Sequence, residues 1–116
     1  MRSYRETARE RRELSERMLA EADRVMKRFL SLDSLAYRDG ALPASTKELL
    51  GLVASLVLRC DDCVAYHLGR CREAGYSDEE VTEALGVAMV VGGSITIPHV
   101  RRAIALWGET AGRESE

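Results

Sequence analysis

Two absences bound this 116-residue chain before any motif is considered. It has no excess of basic charge: 17 Lys and Arg stand against 19 Asp and Glu, a formal charge of −2, so the chain as a whole is no polycation drawn to nucleic acid or anionic lipid. It also has no long apolar run. The uncharged apolar stretch Leu49 to Leu58 is ten residues and includes Gly51 and Ser55, whereas a membrane span needs about 20. The opening run MRSYRETARERRELSER carries charge throughout and lacks the apolar centre of a secretory signal, which predicts a cytoplasmic protein. Turn formers are scarce, with 2 Pro and 9 Gly, and no segment alternates apolar and polar residues, which excludes an all-β chain. Disorder is excluded by the 46% of apolar residues.

What is present reads as one all-α domain spanning residues 1–116, with a long N-terminal helix and four shorter helices. Leu14, Met18, Ala22, Val25 and Phe29 recur in steps of three and four and predict one helix from Ser3 to about Leu32 within an N-terminal segment 1–36. Residues 1–28 hold nine bases and six acids, interleaved as on a solvated helix face. Asp39-Gly40 and Pro43 mark a loop. Ser45 or Thr46 is then expected to cap a helix over Lys47 to about Leu58, apolar nearly all round and therefore buried. A third helix starts at Cys60 or Asp61 and stops before Gly75; Ser77 to Glu80 forms a capping box for a fourth, to about Val91. Ser94 caps a fifth that accepts Pro98 in its first turn and ends near Trp107.

Chemistry concentrates in Cys60-Asp61-Asp62-Cys63-Val64-Ala65-Tyr66-His67. Residues three and four apart share a helix face, so Cys60, Cys63 and His67 form one line, and a Cα separation of about 5 Å lets the two thiols close a disulfide. The partial positive charge of a helix start stabilises a thiolate, and His67 one turn later can take the Cys63 proton. Asp61 and Asp62 work the other way, so moderately acidic thiols are expected. Cys71 adds a nominal fourth ligand for zinc, but about 16 Å along the axis separates it from Cys60, too far for one ion with bonds of about 2.3 Å. No metal or cofactor is therefore expected, and Cys71 reads as a packing residue. Glu48, in the first turn of an otherwise apolar helix, comes level with His67 if the second and third helices are antiparallel. Because both side chains lean toward their own N-termini, a bridging water is expected between them rather than direct contact. His99, beside Pro98, reads as a capping or packing residue.

The run DGALPASTKELLGLVASLVLRCDDCVAYHLGRCREAGYSDEEVTEAL, followed by VGGSITIPHVRRAIAL, resembles the carboxymuconolactone decarboxylase family, and within it the alkylhydroperoxidase D-like proteins, over about residues 37 to 107. The signature is Glu48, eleven residues, then Cys60-x-x-Cys63-x-x-x-His67. The resemblance implies an all-helical fold assembled as trimers or hexamers and a dithiol peroxidase or disulfide reductase activity. It implies Cys63 as the attacking thiol, Cys60 as the resolving one, and Glu48 with His67 as a proton relay. The implied partners are a small peroxide or disulfide and an external dithiol reductant, with no nucleic acid or membrane. Alkylhydroperoxidase D itself is longer and has a His before the second Cys, where this chain has Asp62; its particular partners do not carry over. The lactone decarboxylases generally lack the Cys pair. A lyase using His67 and Glu48, or a non-enzymatic oligomer that senses oxidation, stand as alternatives.

Overall fold

The computed structural model describes residues 1–112, and among them there are helices and no strand. The expected single N-terminal helix is two: α1 (Tyr4–Glu21) and α2 (Arg24–Ala36). Ser3 caps α1 by accepting the Glu6 N–H at 3.1 Å. Ala22 then turns extended, at φ −66° and ψ 135°, and the Asp23 side chain caps α2 by accepting the Met26 N–H at 3.0 Å. An Asp that satisfies a free N–H starts a new helix, although the apolar spacing continues unbroken across it. None of the residues of α2 is buried; Val25, Met26, Phe29, Leu32 and Leu35 face outward.

Helix α3 (Ala44–Val57) starts earlier than Ser45 or Thr46 would place it, with Pro43 at the cap and the Ala44 N–H donated to Asp39 Oδ1 at 2.7 Å. Full burial of this helix was the expectation; only the stripe Glu48, Leu52 and Leu56 is buried, and Leu50 is exposed. Arg59, left-handed at φ 61°, turns the chain into α4 (Asp61–Glu73). Two contacts reach the first turns of α3, Glu48 to His67 in the middle of α4 and Tyr76 Oη, just past the end of α4, donating to the Ser45 carbonyl at 3.0 Å, so the pair is an antiparallel hairpin. Gly75 ends α4 at φ 88°. The capping box of Ser77 and Glu80 opens α5 (Asp78–Gly92) as the sequence indicated. A short 3₁₀ turn, Ser94–Thr96, leads into α6 (Ile97–Thr110), which carries Pro98 in its first turn and runs through Gly108 instead of ending at Trp107.

The core lies where α4 packs on α3 and α6, and α3 on α5. Leu52, Leu56, Val64, Leu68, Val81, Val100 and Ala103 fill it, and Tyr4 and Ala8 dock α1 against the same cluster. Trp107 donates its indole N–H to Asp78 at 2.8 Å, and the Arg72 guanidinium lies 3.6 Å over its ring, fixing α6 to the α4–α5 corner. No helix among the described residues is long and apolar enough to cross a membrane.

Candidate active site

Both thiols of the motif sit at the start of α4. Cys60 is the N-cap itself: its Sγ accepts the Cys63 backbone N–H at 3.4 Å, so the free N–H of the helix start points at Cys60 and not at Cys63. The two sulfurs lie 2.8 Å apart and hydrogen-bond as free thiols, with Cys63 exposed and Cys60 half-buried. In this arrangement the expectation of a moderately acidic Cys63 fails. Burial pushes its pKa up to about 11, and the hydrogen bond to Cys60 and the charge of Asp62 push the same way; Arg11 pulls it down.

One turn further on, His67 is buried against α3. Its Nδ1 lies 2.9 Å from Glu48 Oε2, a direct bond where a bridging water was expected. The hairpin brings the two helices close enough that the lean of the side chains is taken up by their length. A carboxylate only accepts, so Nδ1 donates to it and the Nε2 lone pair faces the other way, toward the Tyr37 hydroxyl at 3.4 Å. Glu48 is 4% exposed, and a carboxylate so deep needs partners; besides His67 it has Arg70, whose Nε lies 3.5 Å from Oε1. Gly51 makes the site possible. A Cβ there would lie 2.6 Å from His67 Cε1 and 2.7 Å from both Nε2 and the Tyr37 hydroxyl, so the imidazole and the phenol close over a bare stretch of α3.

Asp61 is held by α6: His99 Nδ1 lies 2.7 Å from its Oδ1, and Arg102 donates to its Oδ2 at 3.0 Å. His99 therefore binds a carboxylate at the mouth of the site, beyond the capping or packing role expected. Cys71, fully buried, points into the core, and burial drives its pKa up to about 12. Sequence reasoning missed Tyr37, Arg70 and Arg102. Tyr37 comes from the end of α2, and nothing local marks it. A glycine inside an otherwise helix-forming stretch was the one available sign of close approach at Gly51.

The arrangement can form a disulfide between Cys60 and Cys63 and admit a small substrate to the exposed sulfur, with an imidazole held by a buried carboxylate one turn further along α4. The sequence profile of the carboxymuconolactone decarboxylase family matches residues 23–106. An uncharacterized protein of the cox locus of Paracoccus denitrificans is 31% identical over 84 residues, 72% of this chain and 76% of that one. An uncharacterized protein of Cupriavidus necator is 30% identical over 81 residues, 70% of this chain and 72% of its own. The crystal structure of a Thermotoga maritima protein superposes with a TM-score of 0.91 at 54% identity, covering 97% of this chain and 98% of that one. A second crystal structure of that protein is described as a carboxymuconolactone decarboxylase family protein with a suggested part in the antioxidative response. A family protein of Legionella pneumophila, in its apo form, gives a TM-score of 0.86 at 25% identity over 93% of this chain and 96% of its own. By profile, relatives and fold, this chain belongs to the carboxymuconolactone decarboxylase family.

Proposed function

We propose that the protein is a thiol-dependent peroxidase or disulfide reductase. The observation that carries the reading is the pair of free thiols 2.8 Å apart at the start of α4, one turn from a buried His67–Glu48 couple. The exposed Cys63 sulfur attacks the terminal oxygen of a hydroperoxide; the O–O bond breaks, Cys63 becomes a sulfenic acid, and the departing alkoxide takes a proton to leave as an alcohol. Cys60 then attacks the sulfenic sulfur, a disulfide forms and water leaves. An external dithiol returns the two electrons by thiol–disulfide exchange, itself ending as a disulfide. His67 serves as base for the Cys63 proton and Glu48 balances the imidazolium charge. The suggested antioxidative role of the Thermotoga relative supports the same direction.

The working form in this reading is a homo-oligomer, a trimer or hexamer, in which the apolar faces left open on α2 and on the end of α5 (Val87, Val90, Val91) meet other copies. The test is consumption of a small organic hydroperoxide in the presence of a dithiol, followed by mass mapping of the alkylated protein. The reading expects turnover and a Cys60–Cys63 disulfide after peroxide treatment. An intact thiol pair with no peroxide consumed would leave the lyase or the non-enzymatic reading.

A further inference from the structure

Helix α1 lies outside the residues matched by the family profile, yet it delivers a charged side chain to the dithiol. The guanidinium carbon of Arg11 sits 5.1 Å over the ring of Tyr66, the residue one turn after Cys63 on the same side of α4. Its Nη1 is buried and has no hydrogen-bond acceptor. A charged donor enclosed in this way is costly unless an anion comes to it. The nearby acids are largely engaged elsewhere: Glu10 pairs with Arg2, Glu48 and Glu73 with Arg70, and Asp61 with His99 and Arg102. Asp62, which lines a groove together with Arg11, opposes it. Arg11 also lines a second groove of about 420 Å³ between α1 and α4, whose charged walls are Arg12 and Arg70 with Glu16 and Glu73, and whose apolar wall includes Leu19 and Tyr66. That is room for the body of a small organic molecule.

We propose that Arg11 is a specificity-determining residue for the charge of the molecule that reaches Cys63, drawing in hydroperoxides or disulfides that carry a carboxylate. The proposal rests on the reading of Cys63 as the thiol that meets substrate. The carboxylate of such a molecule pairs with the guanidinium across the groove, and its apolar part follows the groove past Tyr66. At Cys63 itself Asp62 repels an anion and Arg11 is the charge that works against it.

Iodoacetate and iodoacetamide test this on the full chain, since both alkylate the same thiolate with loss of iodide and differ only in charge. The ratio of their rates at Cys63, read by peptide mass, is independent of how much thiolate is present. Arg11→Gln is expected to lower the iodoacetate-to-iodoacetamide ratio about three- to tenfold, the effect of removing one unit charge near a partly exposed thiol. Arg11→Lys should keep most of it. In the unaltered protein the ratio should fall between about 10 mM and about 500 mM salt, and this arm needs no variant to fold. An equal ratio in the unaltered protein and Arg11→Gln, an equal loss in Lys and Gln variants, or a ratio indifferent to salt would each overturn the proposal. A charge-sensitive ratio in a protein that consumes no hydroperoxide would sink the peroxidase reading and leave Arg11 as an anion-steering residue at the thiol.

Discussion

Glu48 Oε2 and His67 Nδ1 meet at 2.9 Å with both side chains buried, although nineteen residues separate them in sequence. The bond fixes the imidazole tautomer, with its lone pair on Nε2 toward Tyr37, and it ties the chemistry of α4 to a carboxylate of α3. Replacing Glu48 by Gln keeps the shape and a hydrogen bond but removes the charge that stabilises an imidazolium. In Glu48→Gln the first-order dependence on hydroperoxide should persist while the rate constant of Cys63 oxidation falls about tenfold or more. Glu48→Ala should also unfold more easily, by about 1–3 kcal/mol, because His67 loses its acceptor. A Gln variant with the unaltered rate in stopped-flow measurements would remove the carboxylate from the relay.

The three cysteines should behave differently. Cys63→Ser is expected to lose peroxide reactivity. Cys60→Ser should react once and stop as a sulfenic acid, trapped by a dimedone-type reagent, since no other thiol reaches Cys63. Cys71→Ser should change neither step. The structure makes the reverse outcome informative as well, because the helix N–H points at Cys60: a trapped sulfenic acid on Cys60 in Cys63→Ser would make Cys60 the attacking thiol.

Alkali should find Cys71. Burial raises its pKa to about 12 from the ordinary 9.0, so the folded chain holds this proton where the unfolded chain has released it. The stability tied to that proton is complete below about pH 9 and is lost as the pH rises toward 12. Cys71→Ala is expected to start less stable at neutral pH, from the atom it removes, and to lose less stability between about pH 9 and about pH 11 than the unaltered chain, since that range lies inside the window. Parallel urea midpoints for the two proteins over this range would refute the assignment.

Gly51→Ala sets helix propensity against sterics. Alanine favours a helix interior by about 1 kcal/mol, but its methyl would stand under 3 Å from the His67 ring and the Tyr37 hydroxyl. Sterics should win, with a net loss of about 1–3 kcal/mol and a changed His67 ring environment by NMR. A more stable variant with an unmoved His67 signal would mean that α3 can shift away from α4 at little cost.

Much of this was legible because it is local. Cys60, Cys63 and His67 share a face by helical spacing, the Ser77–Glu80 box marks its own helix, and Glu48 comes level with His67 once the hairpin is assumed. What was not legible depends on docking between elements. The grip of His99 and Arg102 on Asp61 exists only when α6 lies across the start of α4, 38 and 41 residues away in sequence. The acidity of Cys63 turned on burial and on its contact with Cys60, neither of which helical spacing records. The break at Ala22 was hidden because an amphipathic pattern does not record whether the helix that carries it is continuous; the Asp23 cap recorded it instead.

Tyr37, which faces His67, is the residue that closes α2, and α2 keeps nothing of itself in the core. A helix of 13 residues without tertiary burial is marginal in water, so within one chain the last turn that holds the phenol in place has little to steady it. Dilution would then be felt at the imidazole. If other copies cover the apolar face of α2, the amides of residues 24–37 should exchange with solvent at a rate that rises as protein concentration falls, and the His67–Glu48 couple should loosen in step, which would make the proposed activity per subunit a property of how many subunits are nearby.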